Sequence, residues 1–172
     1  EFALRLLTEL RPYNLRWFEE PLVPTDTAGL AHLRRSAPWV AIATGEDHHG
    51  RHAFLDLVEK RAADILQPDL TWGGGLTEAM KIHVIGEAAG IATIPHGGAG
   101  NPFGQHFAMA ATESPMAEYW LGTDPGVPLD EKRRIPGTAV PVNGQVVPSS
   151  APGFGMEFEA GDISDWSEEG GA

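Results

Sequence analysis

Five short apolar runs each end on a side chain capable of chemistry, and their spacing is nearly even. Glu19, Glu46, Asp69, His96 and Glu118 follow one another at steps of 27, 23, 27 and 22 residues. The runs are "LRWFEEP", "VAIATGED", "ADILQPD", "IATIPHGG" and "AEYWLG". Between them lie helix-like stretches at Thr27–Ser36, 51–61, 77–89 and 103–112. Strand and helix in strict alternation is the pattern of parallel β/α units. Such units build either a doubly wound sheet or part of a (β/α)₈ barrel. A doubly wound sheet gathers its ligand at one switch point, with few strands contributing. Here every strand carries a polar group at its C-terminal end, which is where barrels assemble their sites. The expectation is an α/β fold, the later part of a (β/α)₈ barrel, over residues 1–122. Four or five units cannot close such a barrel, so about half is expected to lie elsewhere.

The start and the tail of the chain fit that reading. "EFALRLLTEL" has no initiator Met and no signal-peptide pattern, and Phe2, Leu6 and Leu10 recur at a four-residue step. It reads as the middle of an amphipathic helix within a longer protein. Asp26 and Thr27 suit the cap of the first following helix, and Gly90 the stop of the one at 77–89. After Gly122, Pro and Gly become frequent and helical periodicity ends. "VNGQ" at 142–145 predicts a hairpin turn, "GMEFE" a short edge strand, and 161–172 a frayed tail. Residues 123–160 are expected to form an ordered irregular segment.

Composition narrows the function. A net charge of −12 argues against nucleic acid or an anionic membrane as partner, and it leaves acids available to gather a cation. With no cysteine, disulfide scaffolds and thiolate zinc sites are excluded, and a cytoplasmic protein is the expectation. No apolar run reaches the ~18–20 residues of a membrane span.

Each candidate side chain has an ordinary reading and a sharper one. Glu19 and Glu46 are either solvated loop acids or ligands of a hard divalent cation such as Mg²⁺. Asp69 and His96, on neighbouring runs, suit a dyad in which the acid fixes the imidazole tautomer and leaves the other nitrogen as base. The ordinary alternative is a histidine satisfied by a backbone carbonyl near Gly97 and Gly98. Glu118 fits a substrate hydrogen bond or a structural ion pair. His48 and His52 stand at i, i+4, but the H-E-x-x-H form is missing and Gly50 falls between them, which disfavours zinc. A substrate contact from His48, just after Glu46, is the better reading. "WGGGLTE" is not a dinucleotide fingerprint, because its glycines follow the acid of the run instead of opening on G-x-G-x-x-G.

Taken in order, "WFEEPL", "ATGEDHHG", "DILQPDLTWGGGLTEAMKI", "IPHGG" and "PGFGMEFE" resemble the C-terminal half of an enolase-superfamily enzyme of the mandelate racemase-like subgroup. Within it, "EEPLVP", "QPD..W.GGLT" and "PVNG" are most similar to the acid-sugar dehydratases, L-rhamnonate dehydratases among them. The resemblance covers residues 1–160. It implies Glu19 and Glu46 as Mg²⁺ ligands, with a third, an aspartate, upstream of Glu1. It implies Asp69–His96 as the dyad with His96 as general base and acid, and Glu118 as a substrate hydrogen-bonding acid. It also implies a capping domain against which the C-terminal segment packs, an acid-sugar substrate, and a homo-oligomer at full length. The expected reaction is dehydration of a 2,3-dihydroxy acid to a 2-keto-3-deoxy acid, with a racemase or a non-catalytic fragment as alternatives. A glycosidase using two barrel carboxylates is a weaker reading, since it leaves the Asp–His pair without a task.

Overall fold

In a computed structural model, the chain is described at residues 1–112, 114, 116–122, 124–131, 134–156, 158 and 159. Among these residues five α-helices and four strands alternate: α1 Phe2–Leu10, β1 Trp17–Glu19, α2 Thr27–Ser36, β2 Ala41–Thr44, α3 Gly50–Glu59, β3 Ile65–Leu66, α4 Gly75–Ala88, β4 Ala92–Thr93 and α5 Pro102–Ala110. The strands form one parallel sheet in the order β1-β2-β3-β4, with Trp17 beside Ala41, Ala43 beside Ile65 and Leu66 beside Thr93. Sequential parallel order with a helix in every crossover is the wall of a (β/α)₈ barrel.

The sheet separates two apolar layers. On the helix side, Leu7, Leu30, Leu33, Ile42, Phe54, Leu57, Leu66 and Ile82 make one buried cluster. On the other side, Ala43, Ile65 and Ile94 pack with Trp17 and Met116. Strands buried on both faces read as continuous apolar runs, which is why these runs show no alternation.

Local signals explain the helix ends. The Asp26 carboxylate accepts the Gly29 N–H at 2.8 Å, so α2 begins as expected. At the end of α4, Gly90 has φ +70° and the Ile91 N–H reaches the Gly86 carbonyl at 2.8 Å, which closes the helix. In "VNGQ", Asn143 and Gly144 have φ of 52° and 75°, and Val142 and Gln145 exchange both backbone bonds. That hairpin is a single bridge and does not extend into a ladder.

Three expectations differ from the fold. The face of α1 that packs is Ala3 and Leu7, whereas Phe2 is 78% exposed. Apolar residues occupy positions 2, 3, 4, 6, 7 and 10, nearly all round the helix, so periodicity alone does not choose a face. The run at 117–122 is not a strand, since its backbone takes a bond from Ala99 N–H to the Glu118 carbonyl and no strand ladder. The described residues of "GMEFE" form no strand, and its Glu157 lies outside the described residues, as do 161–172.

Candidate active site

The two acids of "WFEEPL" are divided by the end of β1. Glu19 shares the inner sheet face with Ala43 by register, and its Oε2 accepts from Gln67 Nε2 at 2.7 Å and Trp17 Nε1 at 3.0 Å. Glu20 turns out of the strand at φ +42°, and its Oε1 accepts from Thr44 Oγ1 and the Gly45 N–H, both at 2.8 Å. Glu20 therefore ties the end of β1 to the end of β2. Glu46 follows β2 by two residues, and its carbonyl accepts from Trp72 Nε1 at 2.8 Å.

His96 lies between two acids. Its Nδ1 stands 2.8 Å from Asp69 Oδ2, and its Nε2 is 3.6 Å from Glu46 Oε2. The second Asp69 oxygen accepts from the Thr71 hydroxyl and, at 2.6 and 3.3 Å, from the Thr71 and Trp72 N–H groups. Asp69 is buried and His96 half-buried. The Trp72 ring, itself exposed, stands 6.1 Å from the imidazole. Glu118 Oε2 accepts the Gly97 N–H at 2.8 Å, which brings its carboxylate beside the residue after His96.

Charge follows from this packing. Burial raises the Glu46 carboxyl above its ordinary value, His96 opposes that, and Glu20, Asp47 and Glu19 add to the rise. Burial would also favour neutral His96, but the bond to Asp69 and the charges of Glu46 and Glu118 outweigh it and hold the imidazole above its usual range. Burial likewise works against the Asp69 carboxylate, yet hydrogen bonds from Thr71 and His96 lower it overall. An ionised Asp69 on Nδ1–H leaves the Nε2 lone pair as the accepting nitrogen.

The structure thus gathers Glu46, Asp69 and His96 in a chain of direct contacts, with Glu118 bonded to the Gly97 N–H next to His96 and Glu19 close enough to act on the charge of Glu46. His48 does not join that chain. It is 8% exposed, and its ring lies 5.8 Å from that of Phe54. Burial depresses its pKa, opposed by Glu20, Asp47 and Asp56. Sequence reasoning assigned no role to Gln67, Thr71 or Trp72. For Gln67 a signal existed, because an amide interrupts the apolar run just before Pro68.

The mutual repulsion around Glu46 fits a divalent cation, which would relieve it. Among the described residues no three His, Asp or Glu side chains are grouped closely enough to hold a metal by themselves. Glu19 and Glu46 offer carboxylate oxygens, the donor type that Mg²⁺ takes, and further oxygens would have to come from water, substrate or other parts of the chain.

Residues 1–162 match the family model described as enolase C-terminal domain-like. The chain is 36% identical over 162 residues to the L-rhamnonate dehydratase of Saccharopolyspora erythraea, covering 92% of this chain and 41% of that protein. Among solved structures it is similar to the L-rhamnonate dehydratase of Gibberella zeae, at TM-score 0.79 and 32% identity over 94% of this chain and 42% of that one. A structure of rhamnonate dehydratase from the same organism complexed with Mg gives the same score and identity, over 40% of its chain. The 3,6-anhydro-D-galactonate cycloisomerase of Zobellia galactanivorans is also similar, at TM-score 0.73 and 26% identity over 90% of this chain and 43% of that one. The chain spans about two fifths of the length of these relatives. With its parallel β/α wall and a family match reaching from residue 1 to 162, the chain belongs to the enolase C-terminal domain-like family.

Proposed function

We propose that this chain supplies the acid–base half of a Mg²⁺-dependent acid-sugar dehydratase acting on a 2,3-dihydroxy acid of the L-rhamnonate type. The observation that carries the reading is the Asp69–His96 pair, 2.8 Å apart, with Glu46 beyond Nε2 and Glu118 bonded to the adjoining Gly97. A C2 proton beside a carboxylate is only weakly acidic, so its removal needs a positioned base and positive charge nearby. Glu19 and Glu46 would hold Mg²⁺, which when bound supplies that charge. His96 Nε2 takes the C2 proton, and Asp69 keeps the imidazole in the accepting tautomer. The imidazolium that results is stabilised by Asp69 and Glu46, and it returns the proton to the departing 3-hydroxyl. Water leaves, and the enol tautomerises to a 2-keto-3-deoxy acid. Glu118, held beside Gly97, hydrogen-bonds the substrate.

The relatives named as L-rhamnonate dehydratases support the substrate class. The Mg complex of one of them supports the metal. The test is to supply the full-length protein with Mg²⁺ and a panel of acid sugars, following 2-keto-3-deoxy acid formation and C2 exchange in D₂O. We expect both in the unmodified protein, loss of both on chelation, and loss of both in His96→Gln. Dehydration that persists in His96→Gln would remove the assigned base and sink the reading.

A further inference from the structure

Beyond Gly122 the described residues have little regular structure, so the position of this segment depends on what it touches. It meets α5 at two places. The Phe154 ring packs edge-on against Phe103 and His106, at 6.0 and 5.6 Å. The second contact is polar and buried. Gln105 is only 2% exposed, and both ends of its amide are hydrogen-bonded. Nε2 donates to the carbonyls of Ala139 and Ala99, both at 2.8 Å, while Oε1 accepts the Ala139 N–H at 3.0 Å.

The Ala99 bond reaches the site. Ala99 belongs to the 3₁₀ turn Gly98–Gly100 that follows His96, and its own N–H donates to the Glu118 carbonyl at 2.7 Å. Two residues earlier, the Gly97 N–H holds the Glu118 carboxylate. The turn is pressed onto the start of α5 so closely that a Cβ at Gly104 would collide with the Gly98 carbonyl. A single buried amide thus joins the C-terminal segment, the turn after His96 and the stretch bearing Glu118. An amide placed only to fill a core would not need to satisfy two backbone groups of a distant segment and one of the catalytic loop.

We infer that Gln105 is a positioning residue: it pins the C-terminal segment to the turn after His96 and thereby sets where the Glu118 carboxylate stands. Its effect on turnover rests on the proposed dehydratase reading, and its effect on the loop does not.

The experiment compares the full-length protein with Gln105→Leu, which keeps most of the volume and removes all three bonds. Hydrogen exchange of the Gly97 and Ala99 amides should rise by about tenfold or more, with β2 and β3 amides unchanged. On the acid-sugar substrate, kcat should fall by about tenfold or more with KM held within about threefold. Should Gln105→Leu fail to fold, Gln105→Glu replaces it, keeping an acceptor for Ala139 while setting an oxygen against the two carbonyls. The same two readouts are expected from it. Unchanged exchange at Gly97 and Ala99, or a rise spread equally through the sheet, would overturn the inference and leave Gln105 a purely structural amide. If the unmodified protein dehydrates no acid sugar, the functional reading fails, and the exchange data alone decide on Gln105.

Discussion

The Asp69 carboxylate is the residue on which the proposed chemistry turns, and its two oxygens have separate duties. One is held by Thr71 and the Trp72 N–H, and the other faces His96 Nδ1 at 2.8 Å. Replacing Asp69 by Asn would preserve the shape but offer an amide N–H to Nδ1. That would pin the opposite tautomer, with the proton on Nε2 where a base needs a lone pair. The same swap in the Ser-His-Asp triad of a serine protease costs about 10⁴ in kcat. We expect Asp69→Asn to lose C2 exchange and dehydration together, by about 10²–10⁴, with substrate KM little altered. Steady-state kinetics and deuterium incorporation measure this, and exchange surviving at the unmodified rate would refute the dyad. At this scale Asp69 and His96 were legible, because each closes an apolar run at a strand end. The partner Thr71 was not, since a hydroxyl in a loop gains meaning only from what folds against it. His48 shows the converse: adjacency to Glu46 in sequence does not carry it into the chain of contacts, and its ring lies on Phe54.

Between elements, the β2–α3 and α3–α4 junctions set how precisely the strand ends meet. Gly45 follows β2 at φ +145°, and a Cβ there would stand 2.7 Å from Phe54 Cε1 and 2.9 Å from the Gln67 nitrogen. The second neighbour is backbone and cannot swing aside. Gly45→Ala should therefore destabilise by about 1–3 kcal/mol or more, from overpacking and strain together. Denaturant unfolding measures it, and a loss under about 0.5 kcal/mol would show that the junction is loose. The next junction is electrostatic. Glu78 at the start of α4 accepts the Arg51 N–H at 2.8 Å and its guanidinium at 2.9 Å, with Lys81 nearby. The Arg51 N–H bond, then the guanidinium and Lys81, hold the Glu78 carboxyl below its ordinary value. A depressed folded pKa gives stability that is complete above the unfolded value and lost as pH falls through the folded one. Glu78→Gln should thus lower Tm at neutral pH and flatten its decline as the solution is acidified below 4.5. Parallel Tm-against-pH curves for the two proteins would exclude this role. The alternation of elements was readable because apolar runs, caps and the Gly90 stop are local features. The bounds of the short strands, the packed face of α1 and the absence of a strand at 117–122 depend on which neighbours are present, and no local pattern carries that.

At the scale of the whole molecule, the four strands make one parallel sheet with β1 and β4 at its edges. A strand edge presents unpaired N–H and C=O groups, and all-parallel sheets are normally covered on both faces. Here the inner layer of Ala43, Ile65 and Ile94 is thin beside the helix-side cluster. On the outside, Phe2, Met109, Trp120 and Val147 are each more than half exposed. The relatives it matches are more than twice as long as the matched region. The net charge of −12 disfavours indiscriminate clustering, while the edges favour ordered pairing. Purified as these 172 residues alone, the chain should therefore associate into dimers or larger species that dissociate on dilution. The isolated chain should bind Mg²⁺ weakly, because Glu19 and Glu46 provide only two of the carboxylates that the resemblance implies. Sedimentation velocity over a concentration series and Mg²⁺ titration by calorimetry address the two halves separately. A monodisperse monomer at every concentration would show that the edges are self-sufficient. Tight Mg²⁺ binding by that monomer would show that the missing oxygens come from within these residues.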